Sequence, residues 1–369
     1  MILFLNFAPI QFMGGAEKLI LELAHEVNRK EETQIVDVSP KIANIYGNLV
    51  LKRSFKNHLK DHQLKLFNHT SLSYLSFIPF TKDWQKAALL FKNARLVYTR
   101  YELLEIAICI YFMGLSGLGK VIAGMHLTPL YSSPRGIIDK VHNIVYGPSF
   151  YGYLLRSSKL VHVLNNRDKK LIETKYKVKS VAVLPPGIKF ETPKSIKTPK
   201  EKLNIIFVGE LSTRKGVDTL KEIITESPDY FAFHIIGDGP LKKDIQELAL
   251  QNKCFYHGYT STEKLQKTYA ESDVILFPSR SEAFGMVMAE ALGYGVKIVN
   301  SIEVSLDLPK NIESSITPRN SKNYINALEK IFKEKQENKI DRQRIQKFAR
   351  DNYQQKLINE RFTKEIVGL

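Results

Sequence analysis

The chain has 369 residues, 44% of them hydrophobic and 25% charged, with a formal net charge of +16 at pH 7. That length exceeds what one core usually holds and the apolar content fills two, which excludes a disordered chain and a small disulfide-stapled domain. The excess charge belongs to the first half: residues 1–200 carry 29 Lys+Arg against 14 Asp+Glu, whereas residues 201–369 carry 25 against 24, so an anionic partner is expected at the N-terminal half alone.

In chain order, Met1–Phe7 reads as a buried strand; it has no basic segment before it and runs into a turn, unlike a signal peptide. The turn Met13-Gly14-Gly15-Ala16-Glu17 opens a helix over Gly15–Arg29, at the carboxyl edge where parallel sheets take ligands, although the full dinucleotide fingerprint is lacking. Gln34–Val38 is the next strand. Between Leu51 and Phe67, the residues Leu51, Phe55, Leu59 and Leu66 recur among cations at helix-like intervals. That pattern fits a helix lying on lipid headgroups and equally an amphipathic surface helix packed on the core. Leu96–Thr99 is a strand, Leu103–Leu115 a buried helix, and Lys120–Gly124 a strand ending at His126; Leu160–Leu164 and Val181–Leu184 are further strands. The longest apolar run, Ile106–Leu118, is too short to cross a bilayer.

The polar, proline-bearing stretch Glu191–Lys202 reads as a linker. After it, Asn204–Val208, Phe231–Ile236, Cys254–Tyr256, Val274–Phe277 and Lys297–Val299 are strands, and from Ser321 onward the chain is polar and helix-prone. This alternation predicts an α/β protein of two doubly wound, Rossmann-like domains. Cys109 and Cys254 stand far apart without metal-type spacing, so neither a disulfide framework nor a zinc site is expected, and a reducing, cytoplasmic setting is.

The chemistry concentrates after Val274–Phe277, in the run from Pro278 to Ala291. A strand, a turn and a new helix meet there, and eight steps of about 100° amount to about two turns plus 80°, so Glu282 at the helix mouth and Glu290 inside the helix can look toward one side. The amides of Phe284, Gly285 and Met286 would then meet an anion at a helix N-terminus. Glycine at position 285 lets a bulky phosphate approach, and the two carboxylates can accept from hydroxyls on either side of it. A sugar nucleotide has that form. Two glutamates at this spacing are, by themselves, usually a solvated helix face.

The run Ser279-Arg280-Ser281-Glu282-Ala283-Phe284-Gly285, followed by Glu290-Ala291, resembles the glutamate pair of the retaining, family 4 type glycosyltransferases of GT-B architecture. Three further signatures occur in the same order: Phe207 to Gly216, with Gly209, Arg214 and Lys215; Ile235-Ile236-Gly237-Asp238-Gly239-Pro240; and His257-Gly258-Tyr259. The similarity is densest from Leu203 to Gly295, and Gly14-Gly15-Ala16-Glu17 extends it to the N-terminus.

The resemblance implies an acceptor domain over 1–190, a donor domain over 203–345 facing it across a cleft, and a C-terminal helix over 346–369 returning to the first domain through Phe348, Tyr353, Leu357 and Phe362. It implies hexosyl transfer from a nucleoside diphosphate sugar with retention, on the front face, since no covalent nucleophile stands out. In that scheme Glu290 holds the ribose, while Arg214, Lys215 and the amides of Phe284, Gly285 and Met286 hold the diphosphate. Glu282 holds the sugar hydroxyls; His126 faces the donor sugar, a neutral imidazole donating to a sugar hydroxyl or to the developing charge with a pKa that allows either protonation state; Gly14 and Gly15 let the backbone approach the donor phosphates or the acceptor, and Gly209 the phosphates.

Two departures stand out: Glu210 replaces the family's arginine after Gly209, and Pro186 replaces the asparagine of Pro-Asn-Gly. With no Asp-x-Asp signature, no catalytic metal and no cofactor beyond the donor are expected. The basic first half suggests a lipid-linked or membrane-associated glycan acceptor and a peripheral position at the inner face of an anionic membrane. No finger or RNP-like motif supports specific nucleic-acid binding. A GT-B subunit that binds without catalysis and a sugar-nucleotide epimerase are the alternatives.

Overall fold

The structure, a computed structural model, describes residues 1–6, 15–39, 69–73, 82–100, 103–126, 137–190, 200–282, 284–304, 306 and 308–368. The chain forms two compact units, Met1–Gly187 together with Lys356–Leu369, and Ile188–Gln355. The first holds a parallel sheet of seven strands: β1 (Ile2–Asn6), β2 (Thr33–Ser39), β3 (His69–Ser73), β4 (Leu96–Thr99), β5 (Val121–Met125), β6 (Leu160–Val163) and β7 (Val181–Val183). Their order is β3-β2-β1-β4-β5-β6-β7. In the second unit β8 (Leu203–Val208), β9 (Phe231–Ile236), β10 (Phe255–Gly258), β11 (Val274–Phe277), β12 (Lys297–Ser301) and β13 (Glu313–Ile316) are ordered β10-β9-β8-β11-β12-β13.

Each sheet therefore reverses direction once, beside its first strand, and opens a crevice there at the strands' carboxyl ends. In the first unit the reversal lies between β1 and β4, in the second between β8 and β11.

Strands covered on both faces read as continuous apolar runs. Along β1, Ile2 and Phe4 face one layer, with Leu19, Ile20 and Leu23 of α1 (Gly15–Asn28) and with Phe362 and Ile366 from the chain's end. Leu3 and Leu5 face the opposite layer, with Ile106 of the helix Leu103–Met113 and Leu154 of the helix Phe150–Ser157. In the second unit one core joins β8, β9 and β11 to Leu220 and Ile223 of the helix Val217–Glu226 and to Leu328 and Ile331 of Ser321–Gln336.

The strands β3 and β13 escape the sequence reading because His69-Thr-Ser-Leu-Ser73 and Glu313-Ser-Ser-Ile316 are mostly polar edge strands. An edge needs burial on less of its surface. Glu313 in β13 is nonetheless buried, accepting from Asn300 Nδ2 (2.6 Å) and from the amides of Leu306 (2.8 Å) and Leu308 (2.9 Å).

The C-terminal return differs from expectation in place and phase. The chain rejoins the first unit at Lys356, not at 346. The helix Arg342–Tyr353 stops at Gln354, whose extended ψ of 124° resets the register before Gln355–Arg361. Phe348 and Tyr353 consequently remain in the second unit, Leu357 is exposed, and of the four expected packing residues Phe362 alone is in the core of the first. The second unit also extends to both sides of the expected 203–345. The run Leu51–Phe67, most of the linker and Gly14 lie outside the described residues.

Candidate functional site

The loop after β8 and the loop after β11 meet at the carboxyl ends of the two strands that flank the second sheet's reversal. A backbone bond from Arg280 N–H to the Arg214 carbonyl (2.9 Å) ties them together. Gly216 makes this approach feasible: it has φ 73°, and a Cβ there would lie 2.1 Å from the Pro278 carbonyl oxygen. The sequence carried that constraint as an unexplained Lys-Gly pair at 215–216.

Lys215 points back from this turn. Its ammonium pairs with Glu282 Oε1 and sits 5.3 Å from the centre of the Phe277 ring, a cation–π arrangement that steadies the charge while leaving it largely sheltered. Arg214 Nη1 reaches the same Glu282 oxygen at 3.4 Å, and its Nη2 reaches Glu210 Oε2 at 3.3 Å. Ser212 Oγ donates to that Glu210 oxygen at 3.0 Å. Two cations and two carboxylates thus stand in one cluster, with Lys215 and Glu282 only 14% and 15% exposed and Arg214 about half exposed. Glu210 is not a bystander: it engages a guanidinium that the resemblance assigns to phosphate. Gly209, at the start of the loop, bonds through its amide to the Ile236 carbonyl at 3.0 Å.

The helical-phase argument for Glu282 and Glu290 does not hold. The helix after β11 is only Met286–Leu292, and Glu282 precedes it in non-helical backbone. Glu282 is instead brought to the cluster by the turn, and Glu290 bonds with the Tyr269 hydroxyl at 3.3 Å. Burial, reinforced by the Glu290 charge, holds that phenol well above its ordinary pKa, so it stays a donor to the carboxylate. Phe284 is buried edge-on against Tyr353, 5.7 Å between centres, so its ring packs the unit. Asp238 accepts from Lys242 (3.0 Å) and the Gly239 amide (2.8 Å).

In the first unit His126 follows β5, and Gly15 is the first residue of α1. His126 belongs to a hydrogen-bonded chain that the sequence reading missed: Tyr98 Oη lies 2.8 Å from His126 Nε2 and 2.8 Å from His162 Nδ1, while His162 Nε2 lies 2.8 Å from the Leu184 carbonyl oxygen. Gly124 leaves room for it, since a Cβ there would lie 2.5 Å from Tyr98 Oη. A carbonyl can only accept, so His162 donates from Nε2 and, being neutral, accepts at Nδ1 from the Tyr98 hydroxyl. Tyr98 then accepts from His126 Nε2–H, which leaves His126 Nδ1 as a lone pair, buried and without a hydrogen-bond partner among the described residues. His126 is therefore an acceptor at its unengaged nitrogen, which corrects the expectation that the neutral imidazole donates there. The available signal was a histidine inside the apolar strand Leu160-Val-His-Val163.

Both imidazoles are held neutral. Burial brings His162 down to about 4, and burial, His162 and the Arg100 charge together hold His126 well below 6.5. Each takes up a proton on unfolding in mild acid, so the first unit should lose stability as pH falls from about 6.5 toward 4. Tyr98→Phe should remove the acceptor that fixes His126; nitrogen-15 NMR of the imidazoles should then find mixed tautomers where the unaltered chain shows Nε2–H alone.

Against known families, residues 188–352 match glycosyl transferases group 1. That match spans nearly the whole of the second unit and less than half of the chain. A 41.2 kDa protein in the cps region of Klebsiella pneumoniae, itself uncharacterized, is 37% identical over 119 residues, 32% of either chain. The phosphatidylinositol N-acetylglucosaminyltransferase GPI3 subunit of Saccharomyces cerevisiae is 31% identical over 112 residues, 28% of this chain and 25% of that one. The chain thus spans about a third or less of the length of these two relatives.

Among solved structures, Anabaena Alr3699/HepE in complex with UDP superposes over 100% of both chains, with a TM-score of 0.75 and 16% identity. The architecture is the GT-B fold. The Lys215–Glu282 cluster lies wholly within the matched residues, and His126 outside them.

Proposed function

We propose that the chain transfers a glycosyl group from a nucleoside diphosphate sugar to an acceptor hydroxyl with retention of configuration, the acceptor being a lipid-linked or membrane-associated glycan. One observation carries the reading: Lys215, Arg214 and Glu282 converge at the carboxyl ends of β8 and β11, inside the stretch that matches glycosyl transferases group 1. HepE, of like fold, is described with UDP, and the yeast relative is named for phosphatidylinositol.

In this reading Lys215 and Arg214 change partners. Without donor, their charges are met by Glu282 and Glu210. An arriving diphosphate, carrying more negative charge than a carboxylate, takes the two cations and releases Glu282 to accept from sugar hydroxyls. As the bond from the anomeric carbon to phosphate breaks, the fixed cations stabilise the charge growing on the leaving oxygen. That oxygen takes the acceptor hydroxyl's proton while the new glycosidic bond forms on the same face. Glu290 holds the ribose hydroxyls, backed by Tyr269, and His126 accepts from a donor-sugar hydroxyl at Nδ1. The amides of Phe284, Gly285 and Met286, with the glycine at 209, let backbone reach the phosphates.

Purified chain should be screened with nucleoside diphosphate sugars by thermal shift, since a bound ligand raises stability as RT ln(1 + [L]/Kd), and the stabilising donor then incubated with and without glycolipid acceptor. Transfer with the anomeric configuration kept supports the proposal. Interconversion of the donor without acceptor would make the chain an epimerase, and binding without turnover a binding subunit. Glu210→Ala should strengthen donor binding about threefold at low salt, less as salt rises, because it removes an anion from Arg214; unchanged or weaker binding would remove Glu210 from the site.

A further inference from the structure

A surface helix ordinarily turns its polar residues to water. The helix Ile137–Val145 of the first unit does the reverse: Ile137 and Ile144 are each 78% exposed, with Val141 exposed between them on the same face. The next helix, Phe150–Ser157, buries Tyr151, Leu154 and Leu155 and leaves Phe150, 63% exposed, and Tyr153 outside. It packs against the 3-10 segment Leu115–Lys120, whose Leu115 is also exposed. Apolar side chains are thus turned to solvent from consecutive elements where the core is already filled by others.

The charge around them has one sign. Residues 106–167 contain six Lys+Arg and one acid, Asp139, and Lys120, Lys140, Arg156 and Lys159 are exposed. Aromatic and aliphatic residues that insert, bordered by cations with hydrocarbon stems, are what an anionic bilayer surface takes up. Three of those four cations are lysines, the residue that protein–protein interfaces are depleted in.

We propose that the helices Ile137–Val145 and Phe150–Ser157, which turn Ile137, Ile144 and Phe150 to solvent and carry the exposed cations Lys140 and Arg156, dock on an anionic lipid bilayer. It deepens the proposed function by naming the surface that brings the chain to a membrane-borne acceptor, yet it needs neither donor nor transfer, so the two can fail separately.

The test is co-sedimentation of the full chain with vesicles of phosphatidylcholine alone and of phosphatidylcholine and phosphatidylglycerol in equal parts. The unaltered chain should partition onto the anionic vesicles and hardly onto the neutral ones. Ile144→Asp with Phe150→Asp should reduce the partition roughly tenfold or more, by loss of insertion and by repulsion, with the thermal transition unchanged because both side chains are already exposed. Leu250→Asp, at a position 84% exposed in the second unit, should bind as the unaltered chain does. Absence of binding to anionic vesicles, equal binding to neutral ones, or full binding by the double variant would overturn the proposal. So would a dimer that the double variant dissociates, which would assign the face to a second copy of this chain.

Discussion

Lys215→Ala is expected to lower turnover by about a hundredfold to a thousandfold, the scale seen when one preorganised donor is removed from a developing anion. The size follows from placement. The ammonium is mostly sheltered from water and stands over the Phe277 ring, so little solvent reorganisation is needed when charge grows on the leaving phosphate. Arg214, about half exposed and also engaged by Glu210, is a weaker substitute because water screens it. Steady-state kinetics with the donor that stabilises the chain should therefore show the loss chiefly in kcat, with a smaller rise in KM. Lys215→Arg should recover part of it, since the charge is kept and the point of contact moved. Unaltered kinetics in Lys215→Ala would end the assignment of the site.

Asp273→Ala is expected to cost the second unit about 3–5 kcal/mol, as breaking a buried ion pair does by stranding its partner. Asp273 and Lys335 are both buried, and one carboxylate organises much around it. Its Oδ2 accepts from Lys335 Nζ at 2.7 Å and from the Asn204 amide at 2.9 Å, and its Oδ1 accepts from Arg342 Nη2 at 3.0 Å. Those contacts join the start of β8, the start of β11 and two C-terminal helices, the frame on which the loops that carry Lys215 and Glu282 are hung. Calorimetry should show the second unit's transition moved down. Replacing Lys335 with Met in the same chain should restore part of the loss, because the stranded charge then disappears. A transition in Asp273→Ala within a degree or so of the original would show that the ion cluster adds nothing.

Apolar strands and the α/β alternation were legible because a strand buried on both faces must be a nearly unbroken apolar run, and β1, β8 and β11 are such runs. The edge strands β3 and β13 were not, since polar residues suffice where one side faces out. The ordered motifs also located Lys215, Arg214 and Glu282, because glycine-bearing loops and charged residues sit where the chain turns at a strand's end.

Their arrangement belongs to the tertiary structure. Helical phase extrapolated from Glu290 misplaced Glu282, since the backbone is not helical before Met286. The pairing of Glu210 with Arg214 depends on how one loop folds, which a linear motif does not encode. His126 shows the limit most plainly: its position came from sequence, but its proton was fixed by Tyr98, His162 and the Leu184 carbonyl, partners 28 to 58 residues away along the chain. Local sequence determines which backbone shapes and charges are available; hydrogen-bond direction and charge pairing are decided only where distant strands bring donors and acceptors within 3 Å of one another.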